Sequence, residues 1–411
     1  MHIVRKHIKT ILYVLLIGFV MQGHAAEKKS LQALIDAAKK GDVITLEPGI
    51  YTGPVTIEKA IILDGQNQAT INASGSGSVI FLDTDGAVIQ NLRLTNSGNS
   101  HNDIDSGIQV RGNFNVIKDN VIDNCLFGID LQQSEFNVIR RNEISSKPVD
   151  LGMRGDAIRL WYSFGNKITH NYIHDSRDTV VWYSKDNLIA HNRSTRGRYA
   201  LHFMYAQYNK IENNKYWDNS VGIFLMYSDG VEIRNNEVSH ASGATGVGIG
   251  MKESSEITVT NNTLLYNAVG LYMDVSPFQP DTINYVENNL VAYNNIGVRF
   301  LNDWQGTHFI NNRFKSNINQ GSVIGGDTAN HNKWDGNYWD DYQGFDLNKD
   351  GIGDTPYEYY SYADRIWMDV PGAEFFKGSP VLEVLDFLER LAPFSPPELV
   401  MRDRQPKFFA E

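Results

Sequence analysis

The stretch ALHFMYA, Ala200–Ala206, returns 22 residues later as GIFLMYS, Gly222–Ser228. Each begins on a small residue and runs into a short apolar strand. The same text recurs as GIQVRGN from Gly107, GIDLQQS from Gly128, AIRLWYS from Ala157, DTVVWYS from Asp178, GIGMKES from Gly248, GLYMDVS from Gly270 and GVRFLND from Gly297. The spacings along these nine segments are 21, 29, 21, 22, 22, 26, 22 and 27 residues. One such unit cannot bury its own apolar face, whereas stacked units build a continuous core. Alternation with period 2 and many β-branched residues exclude an α-solenoid. The pattern predicts an all-β chain, a right-handed single-stranded parallel β-helix, about 40 Å long over nine turns.

A second register accompanies the first: Asn120, Asn142, Asn171, Asn192, Asn214, Asn236, Asn262, Asn289 and Asn312. Asparagine tolerates the left-handed backbone of a tight bend. In the same corner of successive turns it also hydrogen-bonds to its neighbours, forming a ladder. SVIFLDTDGAVIQNLRLTNS (Ser78–Ser97) reads as one or two further turns. Upstream, SLQALIDAAKKGDVITLEPGIY reads as a helix and a strand, with Ser30 as N-cap and Gly41 as C-cap. That helix would cover the open end of the sheet, which otherwise invites edge pairing.

Counting each strand from its small residue as position 0, positions 1 and 3 are uniformly apolar and form the core. Met251 and Met273 fall there and read as packing residues. Positions 2 and 4 point outward. Position 2 runs Gln109, Asp130, Arg159, Val180, His202, Phe224, Gly250, Tyr272, Arg299; position 4 runs Arg111, Gln132, Trp161, Trp182, Met204, Met226, Lys252, Asp274, Leu301. The ends of both columns are polar, and the middle is Trp161, Trp182, His202, Met204, Phe224 and Met226. The usual gap of 7 or 8 residues from ladder asparagine to position 0 widens to 15 after Asn142 and 12 after Asn236. These two inserted loops bracket the patch. A third insertion, SPFQPD (Ser276–Asp281), leaves the other end of the strand. Loops flanking an exposed apolar patch mark an interaction site.

The first 25 residues read as a secretory signal peptide: Arg5, Lys6 and Lys9, then the apolar run Ile11–Met21, then GHAA. Losing it takes the formal charge from -11 to -14 through the three cations removed. Such a balance argues against nucleic acid as a partner. The single cysteine, Cys125, allows no intrachain disulfide, and its apolar surroundings read as a buried thiol. The organisation expected is signal peptide 1–25, β-helix 26–330, an Asp/Gly-rich loop region 331–372, and an amphipathic helix with extension over 373–411. That helix, PVLEVLDFLERL, carries Val381, Leu382, Val384, Leu385, Leu388 and Leu391 at helical spacing.

Three constellations carry chemistry. Thioether and imidazole groups suit Cu(I), so His202, Met204 and Met226 form a candidate copper site, alongside the reading of the whole patch as a landing surface for a partner protein. In DLNKDGIGD, Asp346, Asn348, Asp350 and Asp354 match the first positions of a calcium loop, a possible structural calcium site, although Glu358 is off register for the last ligand. His174, Asp175, Arg177 and Asp178 crowd one corner. They read as an ion-paired turn, Asp178 with Arg177 or Arg159, rather than the paired carboxylates of a glycan-cleaving site.

RGDAIRLWYS, SRDTVVWYS, RYALHFMY, VGIFLMYS, the closing GNYWDDYQGFDLNKDGIGDTPY and the terminal SPVLEVLDFLERLAPFSPPELVMRDRQP together resemble the periplasmic NosD family of nitrous-oxide-reductase maturation proteins. The resemblance implies an exported, periplasmic, non-enzymatic scaffold or metallochaperone-like subunit. It implies work with an ABC transporter, permease and ATPase, and membrane association only through these partners. It further implies a copper chaperone and nitrous oxide reductase as partners, with copper as transient cargo. From the residues alone, a carbohydrate-binding or carbohydrate-cleaving β-helix is the alternative.

Overall fold

In the computed structural model, residues 30–243, 245–361 and 397–409 are described, with a few isolated positions between 379 and 392. The expected signal peptide lies outside them. The chain is a right-handed parallel β-helix with very little helix, as the repeat required. Its turns have three faces. One is a 12-stranded parallel sheet containing all nine repeat strands. Two earlier turns, Val55–Ile57 and Ile80–Leu82, and one later turn, Asn319–Ile324, extend it. The other two faces are parallel ladders. One stacks Val138–Arg140, Lys167–Thr169 and Leu188–Ala190; the other stacks Glu143–Ser146, Tyr172–His174 and Arg193–Thr195. Both ladders continue past residue 330, through Lys333–Asp335 and Tyr338–Trp339.

The core is built as the alternation demands. Ile108, Ile129, Ile158, Leu201, Ile223, Ile249, Leu271 and Val298 are fully buried, as are Met251 and Met273 to within 1 %. Cys125 is a free, buried thiol, and burial pushes it up to about 12. The small residues at position 0 have a steric cause. A Cβ on Gly222 would lie 2.3 Å from Val238 and 2.4 Å from the carbonyl oxygen of Gly248, so no larger side chain fits. In several strands this position is skipped in pairing: Val221 pairs with Val247 and Ile223 with Ile249. The residue before it therefore faces outward, which simple alternation does not reveal.

The asparagine ladder is present through all nine positions. Asn120 donates to Asn142, Asn142 to Asn171, and so on to Asn289 and Asn312, with Nδ2···Oδ1 distances of 2.9–3.1 Å. Its job differs from the one expected. The left-handed residue is the one preceding each ladder asparagine, for example His170 (φ 59°), His191 (φ 56°) and Asn213 (φ 55°). The asparagines are buried and satisfy backbone groups in the corner, as when Asn171 Nδ2 reaches the Ile139 carbonyl at 3.0 Å. Two further ladders occupy the other corners, Asn115–Asn137–Asn166–Asn187–Asn209 and Asn267–Asn294–Asn317.

Both ends are closed. The helix Leu31–Ala37 begins at Ser30, whose side chain accepts from the Ala33 amide. It ends earlier than expected, with Ala38 as C-cap; Gly41 (φ 89°) lies in the following turn. Leu31 and Ile35 enter the core, and the Gln32 amide exchanges two hydrogen bonds with Thr56 on the first strand (2.8 and 3.0 Å), standing in for a missing sheet neighbour. At the other end Glu398–Asp403 forms a strand antiparallel to Tyr357–Ser361, burying Val400 and Met401. The extension therefore contains a capping strand. Of the expected amphipathic helix, Val384, Leu388 and Leu391 are described, helical and exposed, together with Phe387; Val381, Leu382 and Leu385 lie outside the described residues.

Candidate functional site

The 12-stranded face puts Trp161, Trp182, Met204 and Met226 in direct register on successive turns. All four are half-buried. Beside them Val180, His202 and Phe224 form the position-2 column, also in register. His202 is 6 % and Phe224 9 % exposed, so these two are buried members of the patch rather than its exposed surface. The cover comes from the residues that the skipped position turns outward. Tyr199 stacks on His202 at 4.7 Å, and Val221, Val247, Val269 and Ile296 pack with Phe224 into an apolar cluster outside the main core. Gly250 makes room for Phe224: a Cβ there would lie 2.4 Å from the ring.

His202 has an unusual environment. Neither ring nitrogen has a hydrogen-bond partner, and burial lowers its pKa to about 4. The indole nitrogen of Trp182 is buried without a partner too, and its ring meets His202 edge-on at 5.9 Å. A buried imidazole left unpaired beside two outward methionines is a donor set that suits a soft cation.

The inserted loops are pinned where sequence placed them, before the strands at either end of the patch. Lys147, buried, donates to the Ser97 carbonyl at 2.7 Å, and Leu151–Met153 is a short 3-10 turn. Ala241 accepts from Ala268 and donates to Asn267. In the third loop Ser255 Oγ accepts from the amides of Phe278 and Gln279 at 3.0 and 2.8 Å.

The corner at Asp178 is ion-paired with Arg177 as expected, with Arg198 as a further partner and Arg159 elsewhere. Asp178, 2 % exposed, pairs with Arg198 and, at 3.6 Å, with Arg177; Arg159 instead pairs with Asp130 at 2.7 Å. Asp175 pairs with Arg196 and His174. A second carboxylate does lie close by. Asp156 is buried against Arg177 at 2.9 Å, and desolvation raises its pKa to about 6. The hollow bounded by Ser176, Asp178, Thr195 and Tyr199 is too narrow to hold a water molecule.

The structure turns the Asp346–Asp354 loop on itself. Asp346 accepts from the amides of Asp350 and Gly351, Asn348 bonds Asp350 at 2.9 Å, and Asp354 accepts from the Leu347 amide. Among the described residues no group of three or more His, Cys, Asp or Glu side chains is placed to hold one metal ion. The side chains of Asp346, Asn348, Asp350 and Asp354 thus fold over the loop and bond to its own groups.

Sequence reading missed the neighbouring column. Tyr162, Tyr183, Tyr205 and Tyr227 follow the position-4 residues and all adopt left-handed backbone, φ 47–51°. Their rings stack in near-parallel fashion at 4.9, 5.2 and 4.8 Å. The same corner is left-handed in the neighbouring turns at Gln133, Glu253 and Val275, so the conformation belongs to the bend and the tyrosines line its outer surface. The signal was present in the recurring WYS and MYS text, but alternation assigns no face to a residue at a bend.

Fold and site together define a parallel β-helix with a half-exposed aromatic and thioether patch on one face. Residues 140–344 match the family described as periplasmic copper-binding protein (NosD). Through that span the chain is similar to the NosD family. It is 26 % identical to the probable ABC transporter binding protein NosD of Stutzerimonas stutzeri, covering 85 % of this chain and 83 % of that one. The Pseudomonas aeruginosa protein of the same name is 25 % identical, covering 85 % and 84 %. In structure the chain is similar to the Azotobacter vinelandii mannuronan C-5 epimerase AlgE6 A-module, with TM-score 0.58, 17 % identity, and coverage of 71 % of this chain and 90 % of that one. That likeness is one of fold.

Proposed function

We propose that this protein is a periplasmic, non-enzymatic scaffold that docks on an ABC transporter, permease and ATPase, and serves maturation of the copper centre of nitrous oxide reductase. The observation that carries this is the register of Trp161, Trp182, Met204 and Met226 on one face, half-exposed and bracketed by two pinned loops. Aromatic residues and methionine are favoured at protein interfaces. The family description and the relatives' names agree with a copper-handling partner of an ABC transporter. Within the patch, His202, Met204 and Met226 are the residues that would hold Cu(I) as cargo during transfer, with a copper chaperone as donor.

The test is a pull-down of the mature protein from solubilised membranes of its source. Permease and ATPase should copurify with the wild type, with or without a copper chelator, and be lost with Trp182→Ala. Retention of both by the variant would sink the docking role of this face. Release of reducing ends from an acidic glycan by the purified protein would overturn the non-enzymatic part.

A further inference from the structure

We infer that the aromatic side chains of this face form a hole relay, which draws one-electron oxidation away from Met204 and His202 and delivers it to surface phenols. It concerns only the protein's own side chains, and it stands whether or not a partner or a metal is bound.

The path is continuous. His202 lies 5.9 Å from Trp182, Trp182 lies 5.9 Å from Trp161, and Trp161 lies 5.6 and 5.2 Å from Tyr162 and Tyr183. From there the four stacked phenols are separated by 5.2 Å or less. Rings this close exchange electrons readily. The chemistry also sets a direction. The Trp182 indole N–H is buried with no acceptor, so an oxidised Trp182 has nowhere to release its proton and remains a strongly oxidising radical cation. Tyr162 and Tyr205 are 43 % and 47 % exposed, so their phenols reach water and can release one.

The step balances. A one-electron oxidant, such as a radical produced from peroxide, removes an electron from Trp161 or Trp182. A stacked tyrosine returns an electron to the indole and gives its O–H proton to water, leaving neutral tryptophan and a neutral tyrosyl radical. A soluble hydrogen-atom donor of the thiol or ascorbate class then restores the phenol. Without the relay, a hole drawn from Met204 or His202 stays on the indole and is spent in oxidation of the ring itself.

The experiment replaces Tyr162, Tyr183, Tyr205 and Tyr227 together by phenylalanine, which preserves ring stacking but removes the oxidisable O–H. Wild type and variant receive the same dose of photogenerated tris(bipyridine)ruthenium(III). Oxidation products are then mapped residue by residue by mass spectrometry, after thermal unfolding confirms equal folding. Products at Trp161 and Trp182 should rise several-fold in the variant, while those at Trp217 and Trp304, which lie off the stack, stay level. A single Tyr205→Phe variant serves if the fourfold one folds poorly; it should show a smaller rise at the same residues. Equal oxidation of Trp161 and Trp182 in wild type and variant overturns the relay, as does an equal rise at Trp217 and Trp304.

Discussion

The carboxylate of Asp403 closes the asparagine ladder at Asn337, the rung to which Asn312 donates at 3.0 Å: one oxygen accepts from both the backbone amide and the side-chain amide of Asn337, each at 2.9 Å. The same oxygen accepts from the Trp339 indole at 3.3 Å, while its partner oxygen accepts from the Gln405 amide. Each rung of the ladder donates to the next, so the last needs an acceptor with no donor of its own. A carboxylate meets that need. Asp403 is fully buried, and desolvation raises its pKa, against which the four donors act.

Asp403→Ala should therefore cost roughly 3 kcal/mol of stability, since it strands buried donors that had been satisfied. Asp403→Asn should cost less, because one acceptor oxygen survives. Denaturant unfolding gives the totals, and hydrogen exchange should show early loss of protection at Asn337 and Lys407, whose amide bonds the Asn337 carbonyl. Unchanged protection there would show that the ladder does not need its terminal acceptor.

Much of this was legible because a solenoid repeats its instructions. The core columns, the ladder positions and both inserted loops follow from spacing alone. What failed to read has physical causes. The Asn337–Asp403 link joins residues 66 apart across text that carries no repeat. His170 and His191, rather than the asparagines after them, carry the left-handed bends, because a bend's geometry and its hydrogen bonds fall on adjacent residues. Tyr199 and Val221 face outward because a strand position is skipped at the crowded glycine corner, so His202 and Phe224 are covered although their parity is correct.

Gly250 and Phe224 offer a test of the outer cluster. Gly250→Ala should destabilise by roughly 1–3 kcal/mol, because the new methyl must push the Phe224 ring off its seat. Phe224→Ala should also destabilise. The double variant should lose less than the sum, since the clash disappears with the ring. Strict additivity in denaturant unfolding would mean the two side chains do not compete for one space.

Met204→Ala with Met226→Ala separates cargo from docking. In a competition titration against a Cu(I) chelator, the wild type should take up copper and the double variant should not, while His202→Phe should weaken uptake in step. Retention of full uptake by the double variant would place the copper elsewhere on the chain.

The last prediction uses His202 as a reporter of its own burial. Its folded pKa is about 4, against 6.5 for the free side chain, because burial disfavours the imidazolium. As pH falls below 6.5 the unfolded chain takes up a proton that the folded chain refuses, so the unfolded state gains. Stability from this group is complete above that pH and is lost progressively down to about 4, a swing of roughly 3 kcal/mol. His202→Phe should remove the swing, and because neither ring nitrogen makes a hydrogen bond, it should cost little at neutral pH. Subtracting the two stability-against-pH curves isolates the effect from other titrating groups, Asp156 included. A flat difference would show that the imidazole in solution is hydrated or paired.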